Sequence, residues 1–284
     1  MKLFWNCHLY NDSFWGEYHY KNSKAWVDYI FGSINFEEVK DINQVKSDER
    51  LIIVDSEIFK KKLFYEKLLE KNKKIYLLHL GDEGGKVNKN FYSNFIHVFR
   101  TFYFNSFANN PRITFIPIGY KTGPVKNLIN LNERKYIWNF LGTIHGASRY
   151  DLMFQNKNIK PNYINITKKF GGQNSLGPKE YYEVMGDTTF SLVSHGYYHP
   201  ETYRLYESLE SGCIPIIENP HNFFDTFLPK NPIIKINLWK ESREIIEDLN
   251  SNDKKKLDLC NSIQEWWLNY KLSLKSEIKK ILNV

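Results

Sequence analysis

Cysteine is scarce in this chain: three in 284 residues, at Cys7, Cys213 and Cys260. No two of them have metal-ligand spacing, and an odd, scattered set argues against a disulfide framework. Small cross-linked secreted folds are thereby excluded, and a reducing compartment fits. Long apolar runs are missing too; no stretch reaches the roughly 18–20 residues that a membrane-crossing helix needs. The opening MKLFWNCHLY has neither an extended apolar core nor a small-residue cleavage site, so no signal peptide is expected. There is no internal repeat, no low-complexity tract and no dense basic patch beside aromatics of the kind nucleic acid calls for. No isolated Asp-x-Asp stands between apolar strands, so no metal is expected.

What is present is ordinary in bulk and unusual in detail. Hydrophobic residues make up 42% and charged residues 25%, enough for one large core or for two domains of about 140 residues each. Aromatics reach 16%; they can stack on sugars and bases, though most are core material. The net charge of +7 favours an anionic partner. The lysine-rich runs at 71–74 and 254–256 read as solvated faces.

Strand and helix patterns alternate along the whole chain, the rhythm of an α/β protein. Residues 2–9 form a weak first strand, and Leu51–Val54, Lys74–His79 and Ile113–Ile116 are further strands. A helix is expected from a cap at Asp55 or Ser56 through Lys71, and another over 90–103, where Phe91, Phe95, Val98, Phe99 and Phe102 share one face. Trp5, His8, Trp15, Tyr18, His19 and Tyr20 could line an acceptor groove. Lys121 to Asn132, with Gly123 and Pro124, reads as a linker. A second series follows: strand 136–141, a glycine loop, a helix opened by Arg149, strand 163–166, a loop with Gly171 and Gly172, then helix 178–185. The last helix runs over about 256–282, with Trp266 and Trp267 as anchors.

The stretch TTFSLVSHGYYHPETYRLYESLESGCIP, residues 188–215, organises the second half. It reads as strand, loop, helix and strand, with the helix from Pro200 to Ser211 and Gly212 at its end. A loop that feeds a helix N-terminus at a strand's carboxyl end is a ready phosphate site. Arg204 and Glu207, three apart, share a helical face. They are either a donor-binding pair or part of an ordinary Glu201–Arg204–Glu207 surface ladder. Earlier, Asp82 and Glu83 stand between Gly81 and Gly84 just after a strand, where parallel sheets place ligands. They are either catalytic carboxylates or a solvated acidic turn.

The run F-S-L-V-S-x-G followed by T-Y-R-L-Y-E-S-L-E-S-G-C-I-P-I-I-E resembles the donor half of exostosin-like glycosyltransferases, whose pattern is R-x-x-E-x-x-x-x-G-C-x-P-V-I. Arg204, Glu207, Gly212, Cys213 and Pro215 fall on it, and Ile216 replaces its Val. F-L-G-x-x-x-x-x-x-R, ending at Arg149, is similar to that family's element facing the donor diphosphate. LHLGDE…FY…VFRTFY…IPIGY resembles ribitol xylosyltransferase-like members of the same group.

The resemblance implies a GT-B architecture, two Rossmann-like domains facing a cleft. The expected divisions are an acceptor-side domain over 1–125, a donor domain over 126–265, and a helix over 266–284 crossing back to the first. It implies an inverting, metal-independent transfer from a UDP-sugar, xylose slightly ahead, to a glycan or polyol-phosphate acceptor, with no cofactor. Glu207 would bind ribose. Gly142, Arg149, Ser194, His195, His199 and Arg204 would surround the donor, and Asp82 or Glu83 would be the base. The expected partners include no nucleic acid, and the expected place is cytoplasmic with at most a peripheral membrane contact. The alternatives are a GT-B enzyme of another family with a different donor, or a non-catalytic carbohydrate-binding module.

Overall fold

The computed structural model describes residues 1–6, 14–121, 130–169, 172 and 174–284, with the backbone alone for 14–20. Cys7, His8, Gly123, Pro124 and Gly171 lie outside the described residues, as do the side chains of Trp15, Tyr18, His19 and Tyr20. The chain divides into two compact units, Met1–Lys121 with Leu272–Val284, and Thr122–Lys271.

The first unit holds β1 (Lys2–Trp5), α1 (Phe14–Phe31), β2 (Glu37–Val39), β3 (Leu51–Asp55), α2 (Lys62–Lys71), β4 (Ile75–His79), α3 (Lys89–Tyr92), β5 (His97–Arg100), α4 (Asn105–Ala108) and β6 (Ile113–Phe115). Its strands form one sheet in the order β2-β1-β3-β4-β5-β6, every pair parallel. LIIVD and IYLLH are buried at every position. That is how strands read when helices cover both faces of a parallel sheet.

Two expected helices are corrected here. The helix over 90–103 is a single turn followed by strand β5, whose Val98 and Phe99 are fully buried on opposite faces. A strand covered on both sides has no polar face, so its apolar residues imitated a helical stripe. The helix over 56–71 is a separate 3-10 turn at Ile58–Lys60 and then α2. The chain turns inward between them because Lys61 reaches Asp55, Nζ to Oδ1 at 2.7 Å.

The second unit holds β7 (Tyr136–Thr143), α5 (Gly146–Asn156), β8 (Asn162–Thr167), α6 (Pro178–Gly186), β9 (Thr188–Val193), α7 (Tyr203–Glu210), β10 (Ile214–Glu218), α8 (Phe223–Phe227), β11 (Ile234–Ile236), α9 (Lys240–Asn250) and the start of α10 (Asp253–Leu282). Its parallel sheet runs β11-β10-β9-β7-β8. The helix expected from Pro200 starts only at Tyr203. Glu201 is buried and accepts the Tyr206 hydroxyl, while its N–H donates to His199 Nδ1 at 3.2 Å. Those bonds turn the chain before the first helical residue. The other end is as expected. Gly212 has φ +65°, with Gly212 N–H to Leu209 O at 3.3 Å and Cys213 N–H to Ser208 O at 3.0 Å, the paired bonds of a glycine-terminated helix.

α10 packs against this terminus. Trp267 Nε1 donates to Glu210 Oε1 at 2.8 Å, Lys271 Nζ reaches the same oxygen at 2.6 Å, and Gln264 Nε2 donates to Leu209 O at 3.0 Å. The two tryptophans thus anchor α10 within the second unit, and its residues from Leu272 onward belong to the first. Cys213 and Cys260 are buried free thiols; burial pushes Cys213 up to about 11, which keeps it an inert core residue.

Candidate active site

In each sheet the strand order reverses once, beside β1 in the first unit and beside β7 in the second. Ligands of open α/β sheets bind at the carboxyl ends of the strands flanking such a point. In the second unit those strands are β7 and β9, and Gly142 and Ser194 stand at their ends.

Arg149 and Arg204 meet here. Arg149 lies in the first turn of α5; its Nη1 donates to Thr143 O at 2.7 Å and its Nη2 to His195 O at 3.2 Å. Arg204 opens α7 and lies over the Phe140 ring at 4.9 Å. Gly142 leaves it room, since a Cβ there would sit 2.9 Å from Arg204 Nη2. Burial pushes Arg149 down to about 10, the Arg204 charge adds to that, and Glu218 opposes it. Both Nε atoms are buried without a hydrogen-bond partner among the described residues. Two neighbouring guanidiniums with unspent donors can hold an anion.

Arg204 forms no ion pair among the described residues, which rules out the Glu201–Arg204–Glu207 ladder. Glu207 is 4% exposed and accepts the Tyr181 hydroxyl at 2.7 Å. Burial, and then the Glu207 charge, drives the Tyr181 phenol well above its ordinary range, so it stays a donor. A buried carboxylate held by one tyrosine keeps further lone pairs for ligand hydroxyls.

The loop after β9 carries the remaining expected contacts. Ser194 is buried and its Oγ has no partner among the described residues. His195 Nδ1 donates to Gly196 O at 2.8 Å, and Nε2 lies 3.9 Å from Glu218 Oε2. His199 is buried beside Glu201 and edge-on to Phe223 at 4.9 Å. That surrounding makes it a support of the loop rather than a group presented with the arginines.

Sequence reasoning missed Glu218 and His145. Glu218 ends β10 and accepts from the Ser148 hydroxyl and, at 3.4 Å, from His195 N–H. Trp239 Nε1 donates in turn to Ser148 Oγ at 3.1 Å. Glu218 closes the quoted C-I-P-I-I-E run, and its place at a strand's carboxyl end was the available signal. His145 precedes α5 and makes no capping hydrogen bond.

In the first unit Asp82 is a loop anchor. It adopts φ +62°, and its carboxylate accepts Lys86 N–H at 2.6 Å, Val87 N–H at 3.2 Å and buried Arg100 Nη2 at 3.1 Å. Arg100 also lies over the Phe107 ring at 4.7 Å. Glu83 is half-buried. Trp5 of the expected aromatic groove is a core residue with Lys24 Nζ 5.3 Å from its ring. Among the described residues no three His, Cys, Asp or Glu side chains converge as a metal site.

Residues 120–284 match the family model of the RXYLT1 C-terminal domain. Human ribitol-5-phosphate xylosyltransferase 1 is 27% identical over 171 residues, covering 53% of this chain and 38% of that protein; the mouse protein is 28% identical with the same coverage. The match therefore spans well under half the length of these relatives. Two solved structures share the fold over the whole chain. A DNA-modifying β-glucosyltransferase superposes with TM-score 0.58 at 13% identity and full coverage of both chains. An α1,3-fucosyltransferase does so with TM-score 0.56 at 13% identity, over 100% of this chain and 90% of that one. The two parallel-sheet units are those of GT-B glycosyltransferases, and the family match covers more than half of the sequence: the chain belongs to the family of the RXYLT1 C-terminal domain.

Proposed function

We propose that this protein is an inverting glycosyltransferase that moves a sugar, xylose first, from a UDP-sugar to a glycan or polyol-phosphate acceptor without a metal ion. The observation that carries the reading is the Arg149–Arg204 pair with its unpartnered buried Nε atoms at the carboxyl ends of β7 and β9. A donor diphosphate brings the negative charge this pair lacks. As the anomeric C–O bond breaks, its electrons pass to the diphosphate oxygen, and the two guanidiniums stabilise that growing charge. Glu207, oriented by Tyr181, accepts from the ribose hydroxyls. Gly142 keeps the strand end open, and Ser194 and His195 complete the donor loop.

The base in this reading is Asp82 or Glu83, the Asp82 carboxylate already accepting from its own loop and from Arg100. It takes the acceptor hydroxyl proton as that oxygen attacks the anomeric carbon. The name of the human and mouse relatives supports xylose and a polyol phosphate as the substrates to test first. Kinship with the exostosin-like enzymes rests on the R-x-x-E…G-C-x-P pattern, and a cytoplasmic place is part of the same reading.

The test is a panel of nucleotide sugars read by thermal shift and by release of the free nucleotide. UDP-xylose is expected to stabilise the protein and to yield UDP slowly in water, faster with acceptor, with or without EDTA. Binding with no nucleotide release from any sugar donor would favour the carbohydrate-binding module. Activity lost in EDTA and restored by a divalent cation would overturn the metal-free mechanism.

A further inference from the structure

We propose that His145 is a ligand of the donor diphosphate that binds it in protonated form, so that the site takes up a proton when the donor enters. The inference rests on the donor reading above and adds to it a residue and a pH dependence. His145 is the residue before α5, an eleven-residue helix, and Arg149 stands four positions on, on the same face of its first turn. Its imidazole does not cap the helix, and its one hydrogen bond is to its own backbone. The next residue, Gly146, has φ +73°, and a Cβ there would meet nothing within 4 Å. Open space thus lies beside a ring with one nitrogen left for a ligand, one helical turn from an arginine with an unpartnered Nε.

The groups around His145 come from four elements. Arg149 faces it from α5, and His195 and Tyr197 from the loop after β9, with the Tyr197 ring centroid 5.4 Å away. Arg204 of α7 and Glu218 of β10 act on the same cluster through Arg149. Without ligand the charges nearest the ring are positive, Arg149 and the positive end of the α5 dipole. Burial first, then Arg149, then His195 hold His145 below the ordinary imidazole range. At neutral pH it is therefore uncharged.

A diphosphate reverses each electrostatic contribution. Its two negative charges offset both arginines and the helix end, and its oxygens accept from an imidazolium N–H. The proton comes from solvent. Affinity must then rise as pH falls through the pKa of the complex, and level off once the free protein is protonated as well. Within that window it changes by at most about tenfold per pH unit for one linked proton.

UDP-xylose is the suitable probe, because both its phosphates are esterified and neither titrates near neutrality. Isothermal titration in buffers of different ionisation enthalpy counts the protons exchanged. The wild type is expected to take up protons near pH 7. His145→Gln should bind UDP-xylose with no uptake and, below neutrality, about tenfold more weakly. His145→Arg should restore tight binding, still without uptake. Uptake that persists in His145→Gln, or binding of UDP-xylose by the wild type with none, would overturn the role of His145 and leave the donor site standing. Failure of the wild type to bind UDP-xylose at any pH would overturn the donor reading and this inference together.

Discussion

The two sheets reverse strand order in the same way, yet the chemistry at the two reversals differs. Beside β1 the centre is Asp55, fully buried. It accepts from Asn6 Nδ2 at 2.6 Å, Tyr65 OH at 2.6 Å, Lys61 Nζ at 2.7 Å, and the N–H groups of Ser56 and Glu57 at 2.8 and 3.1 Å. One carboxylate is saturated by five donors, and its charge is matched by Lys61. Beside β7 the centre is a pair of cations with donors to spare. The carboxylate of the first is saturated as it stands and holds the unit together, although Asn6 Oδ1 and Ser56 Oγ beside it are unpartnered among the described residues. The second has buried donors without a partner among the described residues, and such a polar cluster is the better candidate for a ligand site.

The comparison can be broken most forcefully at Asp55. Asp55→Ala takes the carboxylate from the buried Lys61 ammonium, which keeps the Asn6 carbonyl at 3.1 Å. Stranding one member of a buried pair costs about 3–5 kcal/mol, so urea unfolding should shift markedly toward lower concentration. Donor affinity of the folded protein should hold to within about twofold if the two reversals have the separate roles argued here. An equal loss of donor binding would erase the distinction.

Arg204→Ala probes the other side. Turnover should fall by about 10²–10³, as with loss of one electrostatic stabiliser of the leaving group, while the urea midpoint stays close to that of the wild type. Survival of a tenth of the activity would mean that Arg204 is not aimed at the diphosphate.

The smallest expected effect is on acid stability. Burial lowers His97 to about 4; it lies in the first unit, beside Thr114 Oγ1 at 3.0 Å. In the unfolded chain it takes its proton near pH 6.5, earlier than in the folded one. Acid therefore favours unfolding between about 6.5 and 4, with no further change from this group below that. Urea midpoints measured across that range should fall less steeply in His97→Gln. An unchanged slope would exclude His97 as a contributor.

Much of the second unit was legible in the sequence because its signals are local. The G-C-x-P turn ends a helix through a positive φ that suits glycine, and the arginine and glutamate lie one turn apart on the same short helix. Gly142 and Arg149 were readable as a strand end and a helix start. The first unit was harder. Phe95 to Phe102 satisfied a helical spacing, and only the sheet neighbours Leu78 and Thr114, which pair with Phe99, show it to be a strand. Asp82 looked like an exposed acid because its partner, Arg100, is 18 residues away.

The sequence alone determined the alternation of strands and helices, the apolar runs that form two parallel sheets, and the positions of Arg149, Arg204 and Glu207. Those follow from near-neighbour physics: side-chain periodicity, turn residues and helix ends. Tertiary structure alone decided which charges are spent. Arg100 is consumed by Asp82, Asp55 by Lys61, and Arg149 and Arg204 by no carboxylate, while Glu218 and His145 join the cluster from elements far apart in the chain. Partnership between charges depends on long-range packing and on the exclusion of water, and neither is written in any short stretch of residues.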